Sequence, residues 1–331
     1  MIIDVHGNAV AMAELYSLKA HIFGERGWGL AAALPSDDAL ARAAASHIAF
    51  LDQVGTDIQL VAPRPYMLPC REDPALVALW VAQYNEAIAK QCACFPDRLF
   101  GLAALPQATG TPIADWLGEL DRCLDQFGFV GAVINPDPGE GDGLTPGLGD
   151  RFWYPLWERL VARDTPAVIV SGVSRAKRQG YSAHYVTEAD TAILSLLENA
   201  DLFDAFPDLR LVIGYGAGSI PYQIDRWRAR RWRQPGRESF DVSLRRLWFD
   251  TVVHAPASLA ILLDVCGPDR CLFGTQRPGA ASVADPRTGR AVDDLKPVIE
   301  SLPGLDAAQR RAIFEDNARN VFPRLPARSE R

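Results

Sequence analysis

No uninterrupted apolar run in these 331 residues approaches the ~20 that a membrane-spanning helix needs, and the N-terminus lacks a basic stretch followed by an apolar one. A cytoplasmic location is therefore expected. Positive charge is also not in excess. A net charge of −7 argues against generic nucleic-acid binding, which depends on neutralising phosphates, and gives no pull towards an anionic membrane. An anionic small molecule would need local arginines. The six cysteines, Cys70, Cys92, Cys94, Cys123, Cys266 and Cys271, include no C-x-x-C pair. That removes zinc ribbons and redox motifs and leaves free thiols. Low-complexity tracts and internal repeats are missing too, and 48% hydrophobic with 23% charged residues is an ordinary globular composition.

What is present begins with Ile2-Ile3-Asp4-Val5-His6-Gly7-Asn8. It reads as a short buried strand that ends with His6 and Asn8 on one side, because side chains two apart on a strand share a face. Two histidines at that spacing would make a strong metal pair, whereas an amide oxygen is a weak neutral ligand. Asp4 is expected to point away from the mouth or to support the strand, and His21 and His47 to stay outside the chemistry. The glycine-rich stretch from Ala9 to Ser36 reads as a long loop at the strand end, a place that often carries function. Ser36, followed by Asp37 and Asp38, then looks like the cap of a helix running to about Val54.

From there apolar runs alternate with helical periodicity. Strands are expected at 58–62, 99–105, 130–134, 167–170, 209–213, 247–253 and 271–274, and helices at about 74–91, 112–127, 152–163, 190–199, 219–232 and 257–265. The runs are almost wholly apolar rather than alternating, as in parallel strands covered on both faces. With no linker that looks like a boundary, the expectation is one (β/α)8 TIM barrel over 1–331 with a loop insertion at about 9–36. Site residues should then follow strand C-termini, where His6, Asn135, Ser171, Tyr215, His254 and Gln276 lie. The arginine and tryptophan run from Arg226 to Arg233 reads as a helix flank or subunit contact rather than a nucleic-acid surface.

Ile3-Asp4-Val5-His6, Leu209 through Gly218, Phe249-Asp250-Thr251, Leu272-Phe273-Gly274-Thr275 and Asn317 through Phe322 together resemble the amidohydrolase superfamily. The similarity is strongest to the branch of aminocarboxymuconate-semialdehyde decarboxylase and 4-oxalomesaconate hydratase. Ser182-Ala183-His184-Tyr185 with Ala189-Asp190-Thr191 stands closest to the hydratase. The resemblance implies a metal-dependent-hydrolase-like barrel in which His6 and the residue two later are strand-one ligands and His184 is a further ligand. It also implies a histidine at position 215 and an acidic ligand or base at position 276. This chain keeps His6 and His184 and has Asn8, Tyr215 and Gln276 at the others. A water-activating zinc needs about three strong ligands, so the metal site reads as degraded.

The expected function is that of a hydratase, decarboxylase or hydrolase acting on a small carboxylated, aromatic-catabolite-like substrate at the barrel mouth. His6, His184, Tyr215 and His254 are the catalytic candidates, His254 as a replacement for the missing base. Asn8, Arg64, Arg175, Arg178 and Gln276 are the substrate-binding candidates, since arginine recognises carboxylates bidentately. A divalent metal, zinc or manganese or iron, would sit on His6 and His184; otherwise no cofactor is expected. Two alternatives stand beside this. One is a non-catalytic or weakly active barrel subunit supporting a related active partner in a hetero-oligomer, and the other is a small-acid binding protein. A homo- or hetero-oligomer is expected in either case.

Overall fold

The structure is a computed structural model that describes residues 1–24, 34–171, 181–198, 201–279 and 281–327. Its strands are β1 (Ile3–Asn8), β2 (Ile58–Ala62), β3 (Leu99–Ala104), β4 (Gly131–Ile134), β5 (Ala167–Ile169), β6 (Leu211–Ile213), β7 (Trp248–Asp250) and β8 (Cys271–Leu272). Each pairs in parallel with the next, in the order in which they occur in the chain. Beyond β8 the chain returns to β1. Val5 N–H donates to Phe273 O (2.8 Å), Gln276 N–H to His6 O (2.6 Å) and Asn8 N–H to Arg277 O (2.8 Å). These bonds bring the two ends of the sheet together, and with helices on the outside the result is the (β/α)8 barrel that the alternating pattern implies.

Of the helices, α1 spans Ala13–Gly24, α2 Asp37–Val54, α3 Pro74–Cys94, α4 Ala114–Gln126, α5 Tyr154–Ala162 and α6 Tyr181–Glu198. Helix α2 starts as its sequence dictates, with the Ser36 side chain accepting from Ala39 N–H and Asp37 and Asp38 in the first turn. The core is continuous because each helix turns an apolar face onto the barrel. Trp80 and Tyr84 on α3, Trp116 on α4 and Trp157 on α5 are all fully buried. Asn317, in the last helix, locks the C-terminus to the barrel floor by donating to Cys271 O (2.7 Å) and Pro268 O (2.9 Å).

The structure departs from the sequence-based reading in three places. Helix α1 occupies much of the stretch read as a loop, because Leu15, Leu18 and Ile22 recur at helical spacing and are buried. Helix α6 begins at Tyr181 rather than about 190, so His184 stands on a helix and not in a loop. The segment after β6 forms short 3-10 turns at Tyr215–Ala217 and Pro221–Gln223 before its helix starts at Ile224. There the φ angles of Tyr215, Gly216, Ala217 and Gly218 are all positive, which a helix cannot continue through.

Candidate active site

His6 is the fourth residue of β1 and is buried at the carboxyl end of the barrel. Its Nδ1 lies 2.6 Å from Asp250 Oδ2 at the end of β7. The same carboxylate accepts from Gly216 N–H (2.9 Å) and Val252 N–H (3.0 Å). Asp250 is thus an acceptor throughout, so Nδ1 carries the hydrogen and, in the neutral imidazole, Nε2 presents the lone pair. The close approach depends on Gly274, where a Cβ would lie 2.9 Å from Asp250 Cβ and 3.1 Å from His6 Cβ.

Around this pair stand the residues singled out after the other strands. Tyr215 packs edge-on against the His6 ring at 5.4 Å and stacks on Tyr185 of α6 at 4.5 Å. Gln276 donates from Nε2 to the Tyr215 phenol oxygen at 3.5 Å. Both residues hold left-handed backbone, with φ of 58° at Tyr215 and 60° at Gln276. Such conformations cost ~1–3 kcal/mol in residues other than glycine and cluster at functional sites. Asn8 is buried, and its side-chain nitrogen donates to Gln276 O (2.7 Å) and Pro278 O (3.1 Å). The structure therefore brings His6, Asn8, Tyr215 and Gln276 together.

His184 is buried one residue before Tyr185, its Nδ1 3.8 Å from Glu188 one turn along α6. Burial pulls the His184 imidazole below its ordinary pKa, with the charge of Asp137 opposing. Burial and Asp137 together push the Glu188 carboxyl up to about 7. Asp137, three residues beyond β4, is itself raised by burial. His254 is exposed on the segment after β7, outside the hydrogen-bonded group at His6. Arg64, two residues beyond β2, is half-buried and donates to the Tyr66 hydroxyl at 3.4 Å. Arg175 and Arg178 lie outside the described residues. Asn135 is engaged through its backbone, its N–H donating to Gln107 Oε1 (2.8 Å) and its carbonyl accepting from Gln107 Nε2 (2.9 Å).

Asp4 supports the strand, as its sequence position suggests. Its carboxylate accepts from the backbone N–H of His6 and of Thr275 (both 3.1 Å), from Thr275 Oγ1 (2.5 Å) and from Gln59 Nε2 (2.8 Å). Burial nonetheless raises its pKa, against the pull of those bonds. Gln59 in turn meets His47 Nε2 at 2.7 Å, which gives that histidine a structural role.

Sequence reasoning missed three groups. Asp250 stands in the Phe249-Asp250-Thr251 motif, where one carboxylate closing an otherwise apolar strand is a usable signal. Glu188 pairs with His184 only because the segment is helical, which puts residues four apart on one face. Asp137 gave only the signal of following a strand end.

Among the described residues, no three His, Cys, Asp or Glu side chains converge closely enough to share a metal ion. The sequence profile of the amidohydrolase family matches residues 3–324. This chain belongs to the amidohydrolase family. Among its amidohydrolase relatives is the 2-keto-4-carboxy-3-hexenedioate hydratase of Sphingobium sp., 36% identical over 288 residues that cover 86% of this chain and 83% of the relative. The crystal structure of 4-oxalomesaconate hydratase from Rhodopseudomonas palustris superposes with a TM-score of 0.88 at 32% identity, covering 98% of this chain and 96% of that one. A dihydroxybenzoic acid decarboxylase from Polaromonas sp., solved with bound manganese and 2-nitroresorcinol, shares the fold with a TM-score of 0.73 at 21% identity, covering 98% of each chain. Two of these relatives are hydratases and one is a decarboxylase, and this chain shares their barrel fold.

Proposed function

We propose that this amidohydrolase is a lyase of the hydratase type, adding water to, or removing it from, a small unsaturated polycarboxylate at the barrel mouth. The observation that carries the reading is the His6–Asp250 pair. A buried imidazole held in one tautomer by a carboxylate is a group suited to moving protons. The two hydratases at 36% and 32% identity support the substrate class. In this reading His184 and Glu188 carry protons on the α6 side, Tyr215 and Gln276 contact the substrate's carbonyl or carboxyl oxygen, and Arg64, Arg175 and Arg178 pair with its remaining carboxylates. His254 serves at the exposed rim. The test is incubation of the purified chain with 2-keto-4-carboxy-3-hexenedioate, following loss of the conjugated chromophore and the product by NMR. Hydration at a rate abolished by His6→Gln supports the reading, release of CO2 would move it to decarboxylation, and no conversion would sink it.

A second reading has its own observation. Asn8, Tyr215 and Gln276 are neutral groups at three positions where the family resemblance implies metal-binding or acid–base residues, which suits a barrel subunit that supports an active relative. Its contact surface would be the helix Ile224–Trp232 and the turn before it. There Arg228 is tied to Asp225 and Asp241 and Arg231 is buried, while Trp232 and Tyr222 are 74% and 80% exposed. A monodisperse single-chain species with full turnover would end this reading.

A further inference from the structure

Metal use by a barrel mouth is decided by the donors that can face one point, and here those donors can be followed atom by atom. Tight divalent sites need about three strong ligands, imidazole, carboxylate or thiolate, within bonding distance of one centre. His6 Nε2 is one such donor. Asn8 offers only a neutral amide, and that amide is held by its nitrogen to the carbonyls of Gln276 and Pro278. Gln276 is neutral, with its side-chain nitrogen donating to Tyr215. Tyr215 offers a phenol, which is outside the set of strong imidazole, carboxylate and thiolate donors. His184 faces Glu188 along α6. The hollow that His6 and Asn8 line inside the barrel has otherwise only apolar side chains, Leu102, Val133, Val168 and Val170 among them, which cannot bind a cation. The described residues at this mouth do not fit a divalent metal.

We propose that this barrel mouth has become metal-independent: His6 Nε2, held by the positioning residue Asp250, moves the proton, and hydrogen bonds from Gln276 and Tyr215 steady the substrate oxygen that gains charge. The idea rests on the hydratase-type reading above. Its chemistry balances without another reactant. As a water oxygen bonds to the alkene carbon, one water proton passes to His6 Nε2 and the alkene π pair moves through to the conjugated carbonyl oxygen. His6 then returns that proton to the neighbouring carbon as the carbonyl re-forms. Nothing is oxidised or reduced, and the imidazolium formed between the two steps lies 2.6 Å from the Asp250 carboxylate. The oxygen that carries the transient charge needs donors rather than a Lewis acid, and an amide N–H with a phenol O–H on one rim supplies them. The Asn8 and Gln276 positions are, on this view, where the metal was given up.

The deciding experiment is elemental analysis of the full chain purified from cells grown with added zinc and manganese, with calorimetric titration by each ion. The expected result is well below one equivalent in the native protein, no saturable heat at micromolar ion, and hydratase turnover unchanged by EDTA. The Asn8→His/Gln276→Glu double variant is expected to gain about one equivalent. Near-stoichiometric metal in the native chain, lost on His6→Ala, would overturn the proposal. Metal missing from the double variant as well would overturn the assignment of the loss to Asn8 and Gln276. Turnover that survives both EDTA and His6→Gln, in a variant whose melting curve shows it folded, would overturn the role given to His6. Metal content is read on the protein itself, so a wrong substrate class shows as absent turnover with the metal result intact. A wrong metal assignment shows as bound metal with the turnover intact.

Discussion

His6 and Asp250 are separated by 244 residues and meet at 2.6 Å in the buried end of the barrel. Asp250 has no exposed surface, and its other bonds come from the backbone of the two loops that follow β6 and β7. One carboxylate therefore orients the histidine and also pins the strained turn that carries Tyr215. Replacing Asp250 by Asn swaps an acceptor for a donor facing N–H groups. The expected cost is about 2–4 kcal/mol of stability, with kcat down ~100-fold or more and KM little changed, because the tautomer of His6 is released while the substrate contacts remain. A KM that rises in step with the fall in kcat would point to a collapsed pocket instead. Steady-state kinetics with a thermal melt on the same sample separates the two.

Tyr215→Phe keeps the ring that packs between His6 and Tyr185 and removes only the hydroxyl next to Gln276. The melting temperature is expected to move little. Turnover is expected to drop by ~10²-fold if the phenol steadies the developing oxyanion. An unchanged rate would leave Tyr215 as packing alone.

Glu188 bears on pH-dependent stability. Its folded pKa of about 7 lies above the ordinary carboxyl value of 4.5, so between these two pH values the folded state holds a proton that the unfolded state has released. Stability contributed by this group is thus greatest at low pH and declines as pH rises through the window from about 4.5 to about 7. Glu188→Gln should abolish that decline. Melting temperatures of the variant and the parent are expected to match at pH 5, with the variant higher by a few degrees at pH 8.

Gln59 joins three buried groups, donating to Asp4 and to Arg277 O (3.2 Å) and meeting His47. Leucine at that position would leave Asp4 and His47 short of a partner in the core. A loss of about 2–4 kcal/mol is expected from chemical denaturation, larger than for Gln59→Glu at pH 5, where a protonated carboxyl can still donate. Equal losses in both variants would show that packing against Gly7, rather than hydrogen bonding, is what Gln59 contributes. There a Cβ would lie 2.2 Å from Gln59 Cδ.

The amidohydrolase barrel was legible from the order of apolar strands and from the residues that end them. Leu211 to Ile213 is wholly apolar and Ile58 to Ala62 carries Gln59 as its single polar residue, the pattern of parallel strands covered on both faces. Likewise His6, Asn8, Tyr215 and Gln276 could be placed at one mouth, since each follows or closes a strand and a parallel barrel gathers strand ends at one rim. The neutrality of three of them is a property of the chain itself.

Partnership was decided only in three dimensions. Nothing in the chain said that Asp250 serves His6 rather than His254, four residues on. That follows from the closing of the barrel, which sets β7 beyond Gly274 and across from β1, and from a glycine too small to hold the two side chains apart. Glu188 gains its raised pKa from the burial of α6 against the turn at Tyr215 and from Asp137 on a different loop, a sum of desolvation and charge that exists only once those elements pack. Residue identity and strand order are local and can be read along the chain, whereas hydrogen-bond partners and local dielectric are set by contacts between segments far apart in it.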